Sequence, residues 1–214
     1  MAQRHILPKR RPVERWGGLS HEREPLYHSP VALLESLSSI SLGSPMPDFI
    51  LPDTLGTSHC GANRCGAKGL LVVFTCNHCP YAQALWPRLL RLAQEFKSQG
   101  IETVAINPNI HPEYPEDSPA AMKNKIAELN IWFPYLVDES QDVARRFQAQ
   151  CTPDIYLYDS GQKLVYHGRV DDNWKSETQA KRHELRQALL ALCQGKPVDP
   201  RQHPSMGCSI KWQS

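Results

Sequence analysis

The sequence predicts an α/β fold in which one mixed sheet is covered by helices on both faces, with an N-terminal extension and a C-terminal tail. Three observations carry this. Single apolar strands alternate with segments of helical period, which forces crossover connections and parallel pairing. A hairpin signal near the C-terminal end adds an antiparallel edge. Eighteen prolines gather at the two ends and in loops, and those segments are excluded from helix interiors and central strands.

Residues 1–28 mix charge, proline and glycine without periodicity and read as an irregular arm. Ser29-Pro30 caps a short helix through about Ile40, so residues 1–42 read as an extension and 43–214 as the folded domain. Gly43 to Asp53 is proline-broken and extended. Leu70-Leu71-Val72-Val73-Phe74 is a continuous apolar run, β-branched in the middle and short enough for a buried strand. From Pro80 to Ser98 apolar residues recur at helical spacing (Leu85, Leu89, Leu90, Leu92, Phe96); Pro87 should kink this helix and Gly100 ends it. Ile101–Ile106 is the next strand, followed by a long loop from Asn107. Helices follow at 118–129 and 139–148 around a short strand at 134–137. Asp154–Tyr158 and Lys163–His167 flank the turn Asp159-Ser160-Gly161-Gln162, and the last strong helix covers about 177–192.

At 214 residues and 41% apolar content, the chain suits one domain with extensions and can bury a real core. A net charge of +2 leaves no nucleic-acid footprint. The basic residues Arg4, Lys9, Arg10, Arg11 and Arg15 lack the apolar run of roughly 7–15 residues that a secretory signal needs. Glu14, Glu22 and Glu24 oppose a transit peptide, and no stretch approaches the roughly 20 apolar residues of a membrane span. A soluble cytoplasmic protein is the expectation. Seven cysteines in a chain too large to need disulfide staples point to catalytic or metal-binding thiols.

Cys76-Asn77-His78-Cys79 lies at the junction of the buried strand and a helix N-terminus. Free backbone N–H groups and the helix dipole favour an anion there, so the spacing predicts a lowered pKa at the first cysteine, Cys76. Cysteines at i and i+3 share one helical face and can bridge. A protonated His78 beside Cys76 would stabilise the thiolate further and make the disulfide more oxidising.

Leu70 to Pro80 resembles the active-site segment of thioredoxin-fold proteins, and Gly43-Ser44-Pro45-Met46-Pro47-Asp48-Phe49-Ile50-Leu51-Pro52-Asp53 resembles the entry segment of the redoxin branch, the alkyl hydroperoxide reductase and thiol-specific antioxidant relatives. Thr152-Pro153 is similar to the cis-proline loop that faces the CxxC in that fold. Together with the 115–119 loop, Gln150–Asp154, Gly168–Asp172 and Pro204–Trp212, these segments resemble the peroxiredoxin-like family over residues 43–212. The resemblance implies a thioredoxin-like fold and dithiol–disulfide exchange without a cofactor or metal. Cys76 attacks, Cys79 resolves, and Thr152 and Pro153 touch the substrate. Thr75 stands where thioredoxin has tryptophan, and with His78 it would modulate the pair. The implied partners are protein or small-molecule disulfides, or hydroperoxides, and an upstream thiol reductant of the thioredoxin or glutathione kind; nucleic acid and membrane are not implied. The peroxidase alternative lacks its usual groups. With Cys79 on the peroxidatic cysteine, the threonine position is Cys76, the proline position Val72 and the arginine position Pro153.

Cys151 and Cys208 are candidates for further redox thiols, Cys151 because it precedes Pro153 closely and Cys208 because its tail looks flexible. Cys193 lies on the apolar face of the last helix. Cys60 and Cys65 with the CxxC would give a loose zinc pattern, a rival opposed by the strand that precedes Cys76. Arg169, Asp171, Asp172 and Trp174 are read as a solvated loop that could line the active-site rim. His111, Glu113, Glu116 and Asp117 are read as a surface insertion whose spacing fits no closed metal site.

Overall fold

A computed structural model describes residues 33–36 and 40–213; the expected arm at 1–28 and most of the expected helix after Ser29 lie outside them. In chain order the strands are β1 (Leu33–Glu35), β2 (Ile50–Pro52), β3 (Ser58–Cys60), β4 (Gly69–Phe74), β5 (Ile101–Asn107), β6 (Tyr135–Val137), β7 (Cys151–Thr152), β8 (Asp154–Asp159), β9 (Leu164–His167) and β10 (Met206–Ser209). The α-helices are α1 (Pro80–Lys97), α2 (Pro119–Leu129), α3 (Asp142–Arg146) and α4 (Glu184–Cys193). None of them is long and apolar enough to cross a membrane.

The apolar run of β4 is buried at every position because it is the centre of a five-stranded sheet ordered β6-β5-β4-β8-β9. It pairs parallel with β5 and antiparallel with β8, and β5 pairs parallel with β6. Alternation along β4 divides the core. Leu70, Val72 and Phe74 face Phe49, Phe147 and Tyr156 on the α3 side. Leu71 and Val73 face Leu85, Leu89 and Phe96 of α1 and Leu185 and Leu189 of α4. Helix α1 starts at Pro80 and runs unbroken through Pro87, and Gly100 leaves it at φ +91°. Ser118 caps α2, accepting a hydrogen bond from Ala121 N–H.

The structure differs from the sequence reading in three places. Leu33–Glu35, expected within a helix, is extended and pairs with β10 in the register Leu33↔Cys208. A helix of some eleven residues is marginal by itself, roughly 12–15 being needed, and a strand partner far along the chain wins. The tail is not loose either, because β10 pairs antiparallel with β7 on its other edge. The last two helices are shorter than expected: α3 spans five residues, and the segment before α4 is drawn off by Asp172, whose carboxylate accepts the Lys181 N–H at 2.8 Å.

β10 sits so close to β7 that a Cβ on Gly207 would lie 2.1 Å from Thr152 O. Gly207→Ala is therefore expected to destabilise the protein by about 1–3 kcal/mol, the typical effect of overpacking. Urea unfolding checks this, and unchanged stability would mean that the strand yields without cost.

Candidate active site

The CxxC segment leaves β4 through Thr75, whose backbone N–H donates to Ile106 O at 2.9 Å. Thr75 is buried and its hydroxyl has no hydrogen-bond partner, so it presents no docking surface and bonds neither cysteine. The motif itself is pinned from several sides. Asn77 N–H donates to Asp117 Oδ1 at 2.5 Å, Asn77 Nδ2 donates to Glu116 O at 2.8 Å, and Gln83 Nε2 donates to Asn77 O at 2.6 Å. Tyr135 Oη donates to Asn77 Oδ1 at 3.1 Å.

Asp117 is the residue that sequence reasoning missed. Far from lying in a surface insertion, it is fully buried and bonded to His78 Nδ1, Asn77 N–H and Asn107 Nδ2. The 3-10 turn Pro115–Asp117 delivers it, and His78 stacks on Tyr114 of the same loop at 4.8 Å. Nothing in the local sequence ties this carboxylate to a motif 39 residues away. One donor atom each of Cys76, His78 and Asp117 lie within 4.8 Å of one another, a mixed set that a cation could use. The histidine and carboxylate are already bonded to each other, however, so a metal would have to displace that bond.

Cys76 and Cys79 both have 0% exposure. Cys76 Sγ is 3.1 Å from Thr152 Oγ1, and Cys79 Sγ is 3.0 Å from Thr152 O. Thr152–Pro153 is a cis bond, as the resemblance implied. The two cysteines stand differently at the start of the helix. Helix α1 begins at Pro80, so Cys79 is its N-cap, while Cys76 lies in the loop beside Asp117. The neighbouring Cys208 and Cys76 thiols lower the pKa of the Cys79 thiol, and burial opposes them. Burial pushes Cys76 well up, helped by its bond to Cys79 and the charge of Asp117. The carbonyl of Thr152, 3.0 Å from Cys79 Sγ, favours the thiol form and opposes that lowering.

Cys208 is 1% exposed and forms a buried cluster with Cys76, Cys79 and Ala82. Cys151 is buried one residue along β7 from Thr152, so its side chain points to the other face, donating to Pro153 O at 3.4 Å. Cys193 packs against the α1–α4 core as expected. Cys65 donates to Asp159 O at 3.4 Å, opposite the start of β4, whereas Cys76 follows its end. Among the described residues neither Cys65 nor Cys60 joins a metal-ligating group with the CxxC, so the zinc pattern does not form. All seven cysteines are free thiols.

The loop 169–174 is not simply solvated. Asp171 is buried, and its two carboxylate oxygens accept from Arg88 Nη1 at 2.9 and 2.7 Å. Arg169 pairs with Glu184 and Asp172 is exposed. Trp174 lies 4.1 Å from the ring of Tyr81, two residues after Cys79, so the loop does adjoin the site. A cavity of about 260 Å³ lies between this loop, Pro153 and Met206.

Residues 42–167 match the AhpC/TSA family. The chain belongs to that family. It is 40% identical to an uncharacterized conserved protein from Geobacillus kaustophilus, whose crystal structure superposes with a TM-score of 0.82 over 86% of this chain and 98% of that one. The thiol-disulfide oxidoreductase ResA of Bacillus subtilis is 28% identical over 134 residues, which is 63% of this chain and 70% of ResA. The thioredoxin domain of a thiol-disulfide oxidoreductase from Bacteroides vulgatus, 24% identical, matches with a TM-score of 0.51 over 60% of this chain and 89% of that domain. This AhpC/TSA protein therefore has the thioredoxin-like fold expected from its sequence. The family match includes Cys76, Cys79, Thr152 and Pro153 and ends before Cys208.

Proposed function

We propose that Cys79 is the attacking thiolate of a dithiol–disulfide exchange centre and that Cys76 resolves it. The chain is a thiol–disulfide oxidoreductase of the AhpC/TSA family. The observation that carries the residue assignment is the N-cap position of Cys79 at the start of α1, where the helix dipole favours an anion. The Cys79 thiolate attacks one sulfur of a partner disulfide, forming a mixed disulfide and releasing the first partner thiolate. Cys76 then loses its proton to the adjacent His78–Asp117 pair and attacks the Cys79 sulfur. The second partner thiolate leaves and the Cys76–Cys79 disulfide remains. Asp117 sits where it can take a proton from a thiol that burial keeps protonated at rest.

Protein or small-molecule disulfides are the substrates in this reading, and a thiol of the thioredoxin or glutathione kind returns the pair to the dithiol. The cytoplasm, where such thiols are kept reduced, is the matching compartment.

The test is a trap with glutathione disulfide, in chains where Cys208 is also serine so that no neighbouring thiol cleaves the adduct. Cys76→Ser protein is expected to hold glutathione on Cys79, and Cys79→Ser protein to hold none. An adduct on Cys76 alone would reverse the two roles. Rapid turnover of hydrogen peroxide by the reduced native protein, outpacing disulfide reduction, would make it a peroxidase instead.

A further inference from the structure

We propose that β10 is an in-built substrate strand, and that Cys208 takes over the Cys76–Cys79 disulfide by bonding to Cys79. The proposal rests on the exchange reading above.

An extended peptide presenting a disulfide to this site would add its backbone to the free edge of a strand beside the two sulfurs. The strand beside them is β7, since Thr152 touches Cys76 through its hydroxyl and Cys79 through its carbonyl. That edge is already taken by β10, in the antiparallel register Cys208↔Thr152. Directly opposed residues of such a pair send their side chains to the same face. The Cys208 sulfur is therefore delivered to the face on which Thr152 meets Cys76, and Cys208 packs there in one buried cluster with Cys76, Cys79 and Ala82. Cys151, one residue along β7, is on the opposite face and is excluded by the same alternation.

The placement is held at both ends of the strand. Ser36 N–H donates to Ser205 O at 2.9 Å, and Ser205 Oγ donates to Gly168 O at 2.8 Å. Beyond Ser209, Ile210 N–H donates to Gln150 O at 3.1 Å, and Lys211 N–H donates to Asn109 Oδ1 at 2.9 Å. With β10 in place neither catalytic sulfur has any exposed surface. An outside disulfide reaches them only when the strand moves aside, and the thiol that meets them on its return is Cys208.

The step is an internal exchange. Cys208 loses its proton and attacks the Cys79 sulfur of the Cys76–Cys79 disulfide. The Cys79–Cys208 bond forms, the Cys76–Cys79 bond breaks, and Cys76 leaves as a thiolate that takes up the proton. Nothing is oxidised or reduced overall. The product fixes β10 covalently over the docking edge, so the oxidised enzyme takes no second disulfide until a thiol reductant cleaves that bond.

The experiment uses the full chain, reduced, then treated with glutathione disulfide without air, quenched in acid, alkylated and mapped by peptide mass spectrometry. The native protein is expected to yield the Cys79–Cys208 peptide pair. Cys76→Ser is expected to yield the same pair with two glutathione thiols released per chain, and Cys208→Ser to lose it and keep only Cys76–Cys79. If Cys76→Ser stops at glutathione on Cys79 with Cys208 alkylated, the proposal is overturned while the exchange reading stands. If no variant forms either a Cys76–Cys79 bond or an adduct on Cys79, both fail together.

Discussion

Asp171→Ala is expected to lower the unfolding free energy by about 3–5 kcal/mol, the scale for removing one partner of a buried ion pair. Arg88 projects from α1 and is 5% exposed, so its guanidinium has little water to fall back on. Nη1 donates to both Asp171 oxygens and to Asn173 O at 2.7 Å, and Nη2 donates to Trp174 O at 2.8 Å. The carboxylate supplies the only negative charge among these acceptors, and without it a cation is left buried against two carbonyls. Replacing both partners removes that penalty, so Arg88→Met/Asp171→Leu is expected to recover most of the loss. Urea unfolding of the reduced single and double variants measures the cycle. A single-variant loss under about 1 kcal/mol would show that water enters and screens the guanidinium. The same clamp holds Trp174 against Tyr81, so the single variant also loosens the wall beside Cys79.

What was legible in the sequence is what local pattern can carry. The run Leu70–Phe74 is apolar at every position because both faces of β4 are covered, and no other reading of such a short run fits its flanks. The i, i+3 cysteines, the cap at Ser118-Pro119 and the turn between β8 and β9 are likewise set within a few residues. The edges of the fold are not. Leu33–Glu35 is a strand only because Met206–Cys208 lies beside it, and neither stretch has a strand signature of its own. Cys208 consequently looked like a mobile tail thiol when it is part of the buried centre.

The site divides in the same way. Thr152 and Pro153 were placed by resemblance, whereas Asp117 became visible only once the turn at 115–117 folded under the motif. The N-cap position of the motif is a different case, because its signal was present. Pro80 is a natural first helical residue, and that makes Cys79 the N-cap.

The proposed Cys79 thiolate has a large consequence for stability, and it fixes the sign. Between about pH 5 and 8 the reduced protein is expected to become more stable as pH rises, through Cys79. The neighbouring Cys208 and Cys76 thiols lower the folded-state pKa of Cys79 below its unfolded value, which favours the thiolate in this range. In the unfolded chain it is an ordinary thiol with a pKa near 8.5, so the unfolded state binds one more proton and rising pH favours the fold. The contribution is fully present above about pH 8.5 and is lost as pH falls toward the folded value. Above about pH 8.5 the slope changes sign. Cys208 is pushed up by its bond to Cys79 and by burial, and burial raises Cys76 and Cys151. These three keep their protons in the fold while the unfolded chain releases them, so stability falls again in alkali. Urea unfolding of the reduced protein from about pH 5 to 10, beside Cys79→Ser, isolates the effect, because the variant is expected to lose the rising limb. Parallel curves for the two proteins would put the proton back on Cys79 and return the attacking role to Cys76.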